Sequence, residues 1–300
     1  MGVKTQFSIK DLENLSGIKA HTIRIWEKRY KLLTPERSDT NIRNYNIENL
    51  TKLLNVTYLY NHGYKISKIA KLKNDEVINL IHKSGLTDSA EAFAISELKS
   101  SMLTFNPQLF QQTFSNLEEK YTFRELFFNI LIPLLNDIGL LWQTGTIDPS
   151  HERFISELIK QKITVEIEKQ FKKNPSKTDK LFVLFLPLDE IHEIGLLYVN
   201  YELLNLGYKT IYLGNNIPSD NLKHFNNHHD NIVFVSYLTV QPDKDTLEDF
   251  ISELKNVALK KGNNEIWLFG SQIIDEPDER FPESFKVFRS LSDFLNVIQN

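Results

Sequence analysis

The chain of 300 residues contains no cysteine. That excludes a disulfide framework and a thiolate metal site, and it fits a reducing cytoplasm while staying compatible with other compartments. No apolar run approaches the roughly 18 residues of a membrane span, and the polar, Lys-containing start lacks the apolar core of a signal peptide. A glycine-rich phosphate loop is missing. So are a barrel-sized segment and a constellation of nucleophile and base, which argues against an enzyme. No heptad repeat is sustained between positions 74 and 173, so a long dimerising coiled coil is not expected there. These absences predict a soluble cytoplasmic protein that acts by binding.

What is present suits two domains of ordinary size or three small ones. Apolar residues make up 41% and charged residues 25%, with 20 Phe, a composition able to fill real cores. The formal charge of −4 conceals a division: residues 1–72 carry 13 Lys and Arg against 6 Asp and Glu, leaving 22 against 33 for residues 73–300. A basic head on an acidic body is the electrostatic footprint of a polyanion-binding domain joined to something else.

Ser8-Ile-Lys-Asp11 reads as a capping box opening a short helix that Gly17 closes, and Lys19 to Tyr30 reads as a second helix. Lys31 to Tyr45, with Pro35 and the turn-prone Asp39-Thr-Asn41, suits a β-hairpin. Further helices are expected from Ile47 to Asn61 and around Ile66 to Lys73. Residues 74–89 read as a linker. Between 90 and 174, helix starts at Asn106-Pro107, Thr122-x-x-Glu125 and Asp148-Pro149 imply a four-helix bundle with short connections.

From 175 to 300 the period changes. β-rich runs at Leu181 to Leu186, Thr210 to Leu213, Ile232 to Val235, Glu265 to Phe269 and Phe285 to Phe288 alternate with helical stretches at 191–206, 219–227, 243–261 and 291–298. This predicts a five-stranded parallel sheet covered on both faces, a flavodoxin-like (Rossmann-like) α/β domain with its ligand at the carboxyl ends of the strands. The expected fold class is therefore multi-domain α and α/β: a helix-turn-helix head with a hairpin wing (1–73), the linker, the bundle and the α/β domain.

On a helix, Lys19 to Tyr30 places Ala20, Ile23, Trp26 and Tyr30 on one side and His21, Arg24, Ile25 and Lys28 on the other. Two cations and a hydrogen-bonding His beside an apolar Ile suit a major-groove surface, with Arg37 and Arg43 flanking the hairpin turn to hold phosphates. Taken alone, the same face could be merely solvated. The string His21-Thr22-Ile-Arg24-Ile25-Trp26-Glu27-Lys28-Arg29-Tyr30, followed by Leu33, Pro35, Arg37, Arg43-x-Tyr45, Gly63 and Ile66-Ser-x-Ile69-Ala70, closely resembles the winged helix-turn-helix head of MerR-family regulators over residues 6–72. Ile25 departs from the aromatic residue that many members carry there. The resemblance implies binding of a palindromic double-stranded DNA operator, with His21, Thr22, Arg24, Ile25, Lys28, Arg37, Arg43 and Tyr45 at the DNA. Without a heptad helix, a homo-oligomer, dimer or tetramer, would form through the bundle and the α/β domain.

The first β-α turn holds Asp189-Glu190-Ile-His192-Glu-Ile-Gly195. By itself this reads as an ordinary helix N-terminus, although a neutral imidazole there could ligate a metal with Glu190 polarising its other nitrogen. The other strand ends carry Leu213-Gly214-x-x-Ile-Pro218, Ser236-x-Leu238 and Gly270-Ser271. Behind a four-helix bundle, this set resembles the cobalamin-binding module of methionine synthase and of light- or cobalamin-sensing MerR-type repressors, over about 90–300. The resemblance implies a cobalamin cofactor with His192 as lower axial ligand to cobalt and Glu190 orienting it. Ser236 and Gly270 would accommodate the displaced nucleotide tail, with Gly195, Leu238 and Ser271 beside the cofactor. Glu190 stands where Asp is usual, and Gly270-Ser271 where Gly-Gly is usual. In the bundle, Trp142 and Glu152 match the regulators' cover of the upper face, but Arg153 replaces their His and His151 lies one residue early. Trp142 reads equally as a core aromatic or a ligand cap. His224-x-x-x-His228-His229 has metal-like spacing but reads as a solvated loop.

The function expected is a transcription regulator whose operator binding responds to cobalamin through a change in oligomeric state. The alternative is a regulator whose α/β domain has become a corrinoid-free dimerisation or protein-binding module. A corrinoid methyl carrier is disfavoured by the DNA-reading head.

Overall fold

The computed structural model describes residues 6–300 except 39, 74, 75, 78, 79, 81–86, 172–174, 228, 230, 260–262 and 300. The chain divides into two compact units, Met1–Leu158 and Ile159–Asn300.

The first unit opens with strand β1 (Gln6–Phe7) and helix α1 (Ile9–Ser16). The expected capping box is formed: Ser8 Oγ accepts from the Asp11 amide at 3.2 Å, and Asp11 Oδ2 accepts from the Ser8 amide at 2.7 Å. Gly17 ends the helix at φ 73°, a conformation that only glycine adopts without cost. Helix α2 (Ala20–Tyr30) follows, with Ile23 and Trp26 buried. Strands β2 (Glu36–Arg37) and β3 (Arg43–Asn46) make the hairpin, and β1 pairs with the other edge of β3. Asn46 caps α3 (Ile47–Asn61), and the short α4 (Ile66–Ile69) completes a winged helix-turn-helix.

Most of the expected linker lies outside the described residues, but its end is helical: α5 spans Thr87–Thr104, beginning ahead of Ala90. With α6 (Pro107–Glu118), α7 (Phe123–Gln143) and the part of α8 (Pro149–Phe171) that belongs to this unit, it forms the four-helix bundle. Asn106 and the Thr122–Glu125 box cap the second and third helices as their sequences require. Within α7, Phe127–Leu131 widens to a π-turn just ahead of Pro133. Pro133 has no amide hydrogen and its ring crowds the carbonyl four residues back, so a local widening relieves both defects. Helix α7 is long and apolar enough, by length and composition alone, to cross a membrane. It is a bundle helix here, with Leu126, Phe127, Ile130, Leu131, Leu134 and Ile138 buried.

In the second unit, β4 (Lys177–Phe185), β5 (Tyr208–Gly214), β6 (Ile232–Tyr237), β7 (Glu265–Phe269) and β8 (Phe285–Val287) form a wholly parallel sheet in the order β5-β4-β6-β7-β8. Helices α9 (Ile194–Asn205), α10 (Leu247–Ala258) and α11 (Leu291–Gln299) connect or follow the strands. The helical stretch expected over 219–227 in the β5–β6 crossover is a 3-10 helix, Ser219–Asn227. Ser, Asp and Asn there compete for backbone hydrogen bonds and are poor α-formers.

Side chains alternate along the strands, so Val183, Phe185, Phe234, Ile266 and Leu268 pack with Leu247, Ile251 and Leu254 of α10. The other face is aromatic: Trp267 meets Phe182 and Phe288 edge-on at 5.3 and 5.2 Å. Each fully buried Leu, Ile or Phe contributes roughly 1.5–3 kcal/mol. These two layers hold the strands in register and present their carboxyl ends as a single edge. Chain order reverses between β4 and β6, so the crevice of this topology opens between the loops that follow those two strands.

Candidate functional site

On the head, His21, Arg24, Ile25 and Lys28 are exposed, Ile25 by 51%, while Ile23 and Trp26 pack inward. Thr22 is half-buried one residue away. The helix thus separates a packing face from a polar face, as its spacing requires. Arg37 is exposed on β2 and donates to Asn41 Oδ1 at 2.5 Å across the hairpin turn. Arg43 is half-buried, and its Nε donates to Glu27 Oε1 at 3.0 Å. This hydrogen bond, and then the charge of Glu27, raise the Arg43 guanidinium further above its ordinary value.

Tyr45 corrects its sequence assignment. It is 0% exposed, and its hydroxyl donates to Glu27 Oε2 at 2.9 Å, so it supports the wing from within and does not face DNA. Burial and then Glu27 push its phenol well above the usual range. Glu27, singled out by no chemical pattern in the sequence, joins the recognition helix to the wing.

In the second unit the loops after β4 and β6 meet at one carboxylate. Asp189 takes a left-handed turn at φ 62°, with its amide donating to Asn216 Oδ1 at 3.0 Å, and Glu190 follows, 0% exposed. Oε1 of Glu190 accepts from the amides of Ile191 at 2.8 Å and His192 at 2.9 Å, and from His192 Nδ1 at 2.5 Å. Oε2 accepts from the amides of Thr239, Val240 and Gln241 at 3.1, 2.6 and 2.9 Å. Burial alone pushes the Glu190 carboxyl up, but the imidazole and the amides of Gln241, Val240 and His192 overcome it and hold it at about 2.

An ionised carboxylate only accepts, so Nδ1 of His192 carries a proton, and in the neutral imidazole Nε2 carries the lone pair. The imidazole side chain is 44% exposed. The same loop system carries exposed apolar residues, Leu188, Ile191, Val240 and Ile274, on the carboxyl edge of the sheet. A basic imidazole nitrogen can ligate a borderline metal. The amides of Thr239, Val240 and Gln241 were not legible beforehand, because backbone donors leave no residue-type signal. Behind the dyad, Glu193 accepts from Lys160 Nζ and from the Tyr212 hydroxyl, each at 3.4 Å.

Ser236 is fully buried, and its Oγ finds no hydrogen-bond partner among the described residues. Leu238 is buried, with its amide donating to the Phe269 carbonyl at 2.7 Å. Gly270 has φ 112°, and a Cβ there would stand 2.1 Å from the Leu238 carbonyl oxygen. At Gly195 a Cβ would stand 2.6 Å from the Tyr237 ring. Ser271 Oγ donates to the Thr239 carbonyl at 2.7 Å.

In the bundle, Trp142 is 54% exposed, which removes the core-aromatic reading. Glu152 is half-buried and accepts from Ser156 Oγ at 3.4 Å. His151 is buried at the start of α8: its Nδ1 accepts from the Asp148 amide at 3.2 Å, and its ring stacks on Phe105 at 4.7 Å. His228 lies outside the described residues. No group of three or more His, Asp or Glu able to hold a metal ion occurs among the described ones.

Comparison with known proteins adds two domain matches. Residues 7–76 match the MerR HTH family regulatory protein family, and residues 94–165 match the B12 binding domain family. The chain is homologous to the HTH-type transcriptional repressor CarH of Myxococcus xanthus, with 28% identity over 72% of this chain and 73% of the relative. It is also similar to the HTH-type transcriptional repressor CarA of the same organism, with 24% identity over 70% and 69%. Among solved structures, the monomethylamine corrinoid protein of Methanosarcina barkeri shares the fold, with TM-score 0.58 and 14% identity over 71% of this chain and 98% of that one. The chain therefore carries a MerR HTH domain and a B12 binding domain.

Proposed function

Because a DNA-binding MerR HTH domain and a B12 binding domain share one chain, we propose that this protein is a transcription regulator whose operator affinity is set by a corrinoid held at His192. The observation that carries the reading is the Glu190–His192 dyad. Six N–H groups fix the buried carboxylate, and the carboxylate fixes the imidazole tautomer, so that Nε2 is the nitrogen offered at the crevice. These residues fit a cobalt macrocycle: His192 would hold the metal through its ring nitrogen, and Glu190 would sustain the basicity of that imidazole. The exposed apolar residues of the surrounding loops suit the apolar part of the ring. When bound, the group supplies a cobalt centre with an exchangeable upper ligand.

His21, Arg24, Ile25 and Lys28 read the major groove, and Arg37 holds phosphate. Control of DNA binding requires the corrinoid to bind two oligomeric states unequally, since equal affinity shifts nothing. The test is to add aquacobinamide or hydroxocobalamin to the full-length protein and follow its visible spectrum and gel-filtration profile. A spectral change and a shift in oligomeric state, both abolished in His192→Ala, are expected. Retention of neither corrinoid refutes the reading. A second reading is a corrinoid-free dimerisation or interaction module, favoured by the contacts that Tyr237 and Leu238 make at Gly195 and Gly270. It predicts DNA binding and oligomerisation indifferent to any corrinoid.

A further inference from the structure

We infer that the Tyr237 ring takes the place of a corrinoid's lower nucleotide base, so that this domain selects corrinoids lacking that base. The inference rests on corrinoid binding at His192. A complete cobalamin carries a benzimidazole nucleotide on the lower side of its ring. An imidazole that occupies the lower axial position displaces this base, and the planar bicycle then needs a slot in the protein.

Three residues past His192, at the start of α9, the missing side chain of Gly195 leaves a space against the sheet. Tyr237 fills it. A Cβ on Gly195 would stand 2.6 Å from both Cε2 and Cζ of Tyr237 and 2.9 Å from Cδ2, so the phenol lies flat on the glycine and uses the space its missing side chain leaves. The ring is one member of a layered stack across neighbouring strands. Tyr237 and Phe269 lie parallel with centroids 5.9 Å apart and planes at 5°, and Phe269 stacks on Phe288 at 4.7 Å and 13°. Phe294 of α11 closes the layer edge-on against Phe269 at 5.2 Å and against Phe288 at 5.7 Å. Native packing leaves no spare thickness in such a layer for a second planar group.

The two positions that would otherwise receive a tail offer no substitute. Ser236 alternates with Tyr237 along β6, so its hydroxyl points to the opposite face, where it is fully buried. Gly270 is pressed against the Leu238 backbone, where even a methyl group would stand 2.1 Å from the carbonyl oxygen.

The experiment titrates the full-length protein with aquacobinamide, which has no lower nucleotide, and with hydroxocobalamin, read by visible absorbance and by equilibrium dialysis. The wild type binds aquacobinamide at least about tenfold more tightly than hydroxocobalamin. Tyr237→Ala and Tyr237→Val bring hydroxocobalamin to within a few-fold of aquacobinamide, and Tyr237→Phe, which keeps the ring, retains the wild-type preference. Two independent small replacements guard against loss of folding in either one. Equal affinity of the wild type for both corrinoids, or an unchanged ratio in the folded Tyr237 variants, overturns the inference and leaves corrinoid binding at His192 standing. Binding of neither corrinoid by wild type and variants overturns both.

Discussion

The Tyr45 hydroxyl donates a 2.9 Å hydrogen bond to the Glu27 carboxylate, tying a residue of the wing strand to the middle of the helix that carries Arg24 and Lys28. The other oxygen of the same carboxylate holds Arg43. The angle between helix and wing is therefore set by one acidic side chain that touches no DNA in this reading.

A first prediction separates that brace from direct contacts. Glu27→Gln should lower thermal stability by roughly 1–3 kcal/mol, because it removes two charge-assisted acceptors at once. It should weaken operator binding without changing the slope of log affinity against log salt. Arg24→Ala, Lys28→Ala and Arg37→Ala should instead leave stability nearly unchanged and lower that slope by about one each. Thermal melts and gel shifts at several salt concentrations provide the comparison. A reduced slope in Glu27→Gln would contradict the brace.

The second prediction concerns Glu190. Glu190→Gln keeps the shape but turns one acceptor oxygen into a donor facing N–H groups, so at least one buried donor loses its partner. A loss of about 2 kcal/mol or more is expected in chemical denaturation. Proteolysis should become faster within both 187–193 and 238–242. Acceleration confined to one of the two segments would show that the loops are not joined through this residue.

Glycine positions supply a third. Gly270→Ala places a Cβ 2.1 Å from the Leu238 carbonyl at φ 112°, so something must shift, and a cost of about 3 kcal/mol or more is expected. Gly145 also has positive φ, 63°, but a Cβ there meets nothing within 4 Å. Gly145→Ala should cost only about 1–2 kcal/mol, the backbone term alone. Similar denaturation midpoints for the two variants would refute the distinction.

The fourth is a pH dependence. Burial raises the Glu265 carboxyl, but Lys180 Nζ at 2.5 Å and Trp267 Nε1 at 2.9 Å outweigh it, and the carboxyl lies below its ordinary 4.5. A depressed carboxyl stabilises the fold above its unfolded value and loses that contribution as pH falls through its folded value. Wild type should therefore melt above Glu265→Gln at pH 7, with the gap narrowing below pH 4.5. A gap that widens on acidification would reverse the sign.

Much of this architecture was legible because its signals are local. Ser8 with Asp11 and Thr122 with Glu125 declare helix starts within four residues, and the run Glu265 to Phe269 coincides with β7. Glu190 and His192 drew notice only through the resemblance that the strand ends carry together, since their own spacing reads as a helix N-terminus. What escaped depends on contacts made far along the chain. Tyr45 was assigned to the DNA through the resemblance that Arg43-x-Tyr45 carries, and only its burial and its bond to Glu27 decide otherwise. The three amides that hold Glu190 lie about fifty positions onward and belong to no residue type. His151 carried the look of a displaced ligand, yet its stacking on Phe105 makes it a helix-start residue. Tyr237 passed as the unspecified middle of Ser236-x-Leu238 until its ring was placed on Gly195.

The bonds around Glu190 extend further than the dyad. Thr239 and Val240, whose amides it holds, offer their carbonyls to Ser271 Oγ and Gln272 Nε2, each at 2.7 Å. The loops after β4, β6 and β7 are thereby threaded on one line of hydrogen bonds, like three hinges sharing a pin. A displacement of His192 that carries Glu190 with it would have to move or break bonds that reach as far as residues 271 and 272, two strands away.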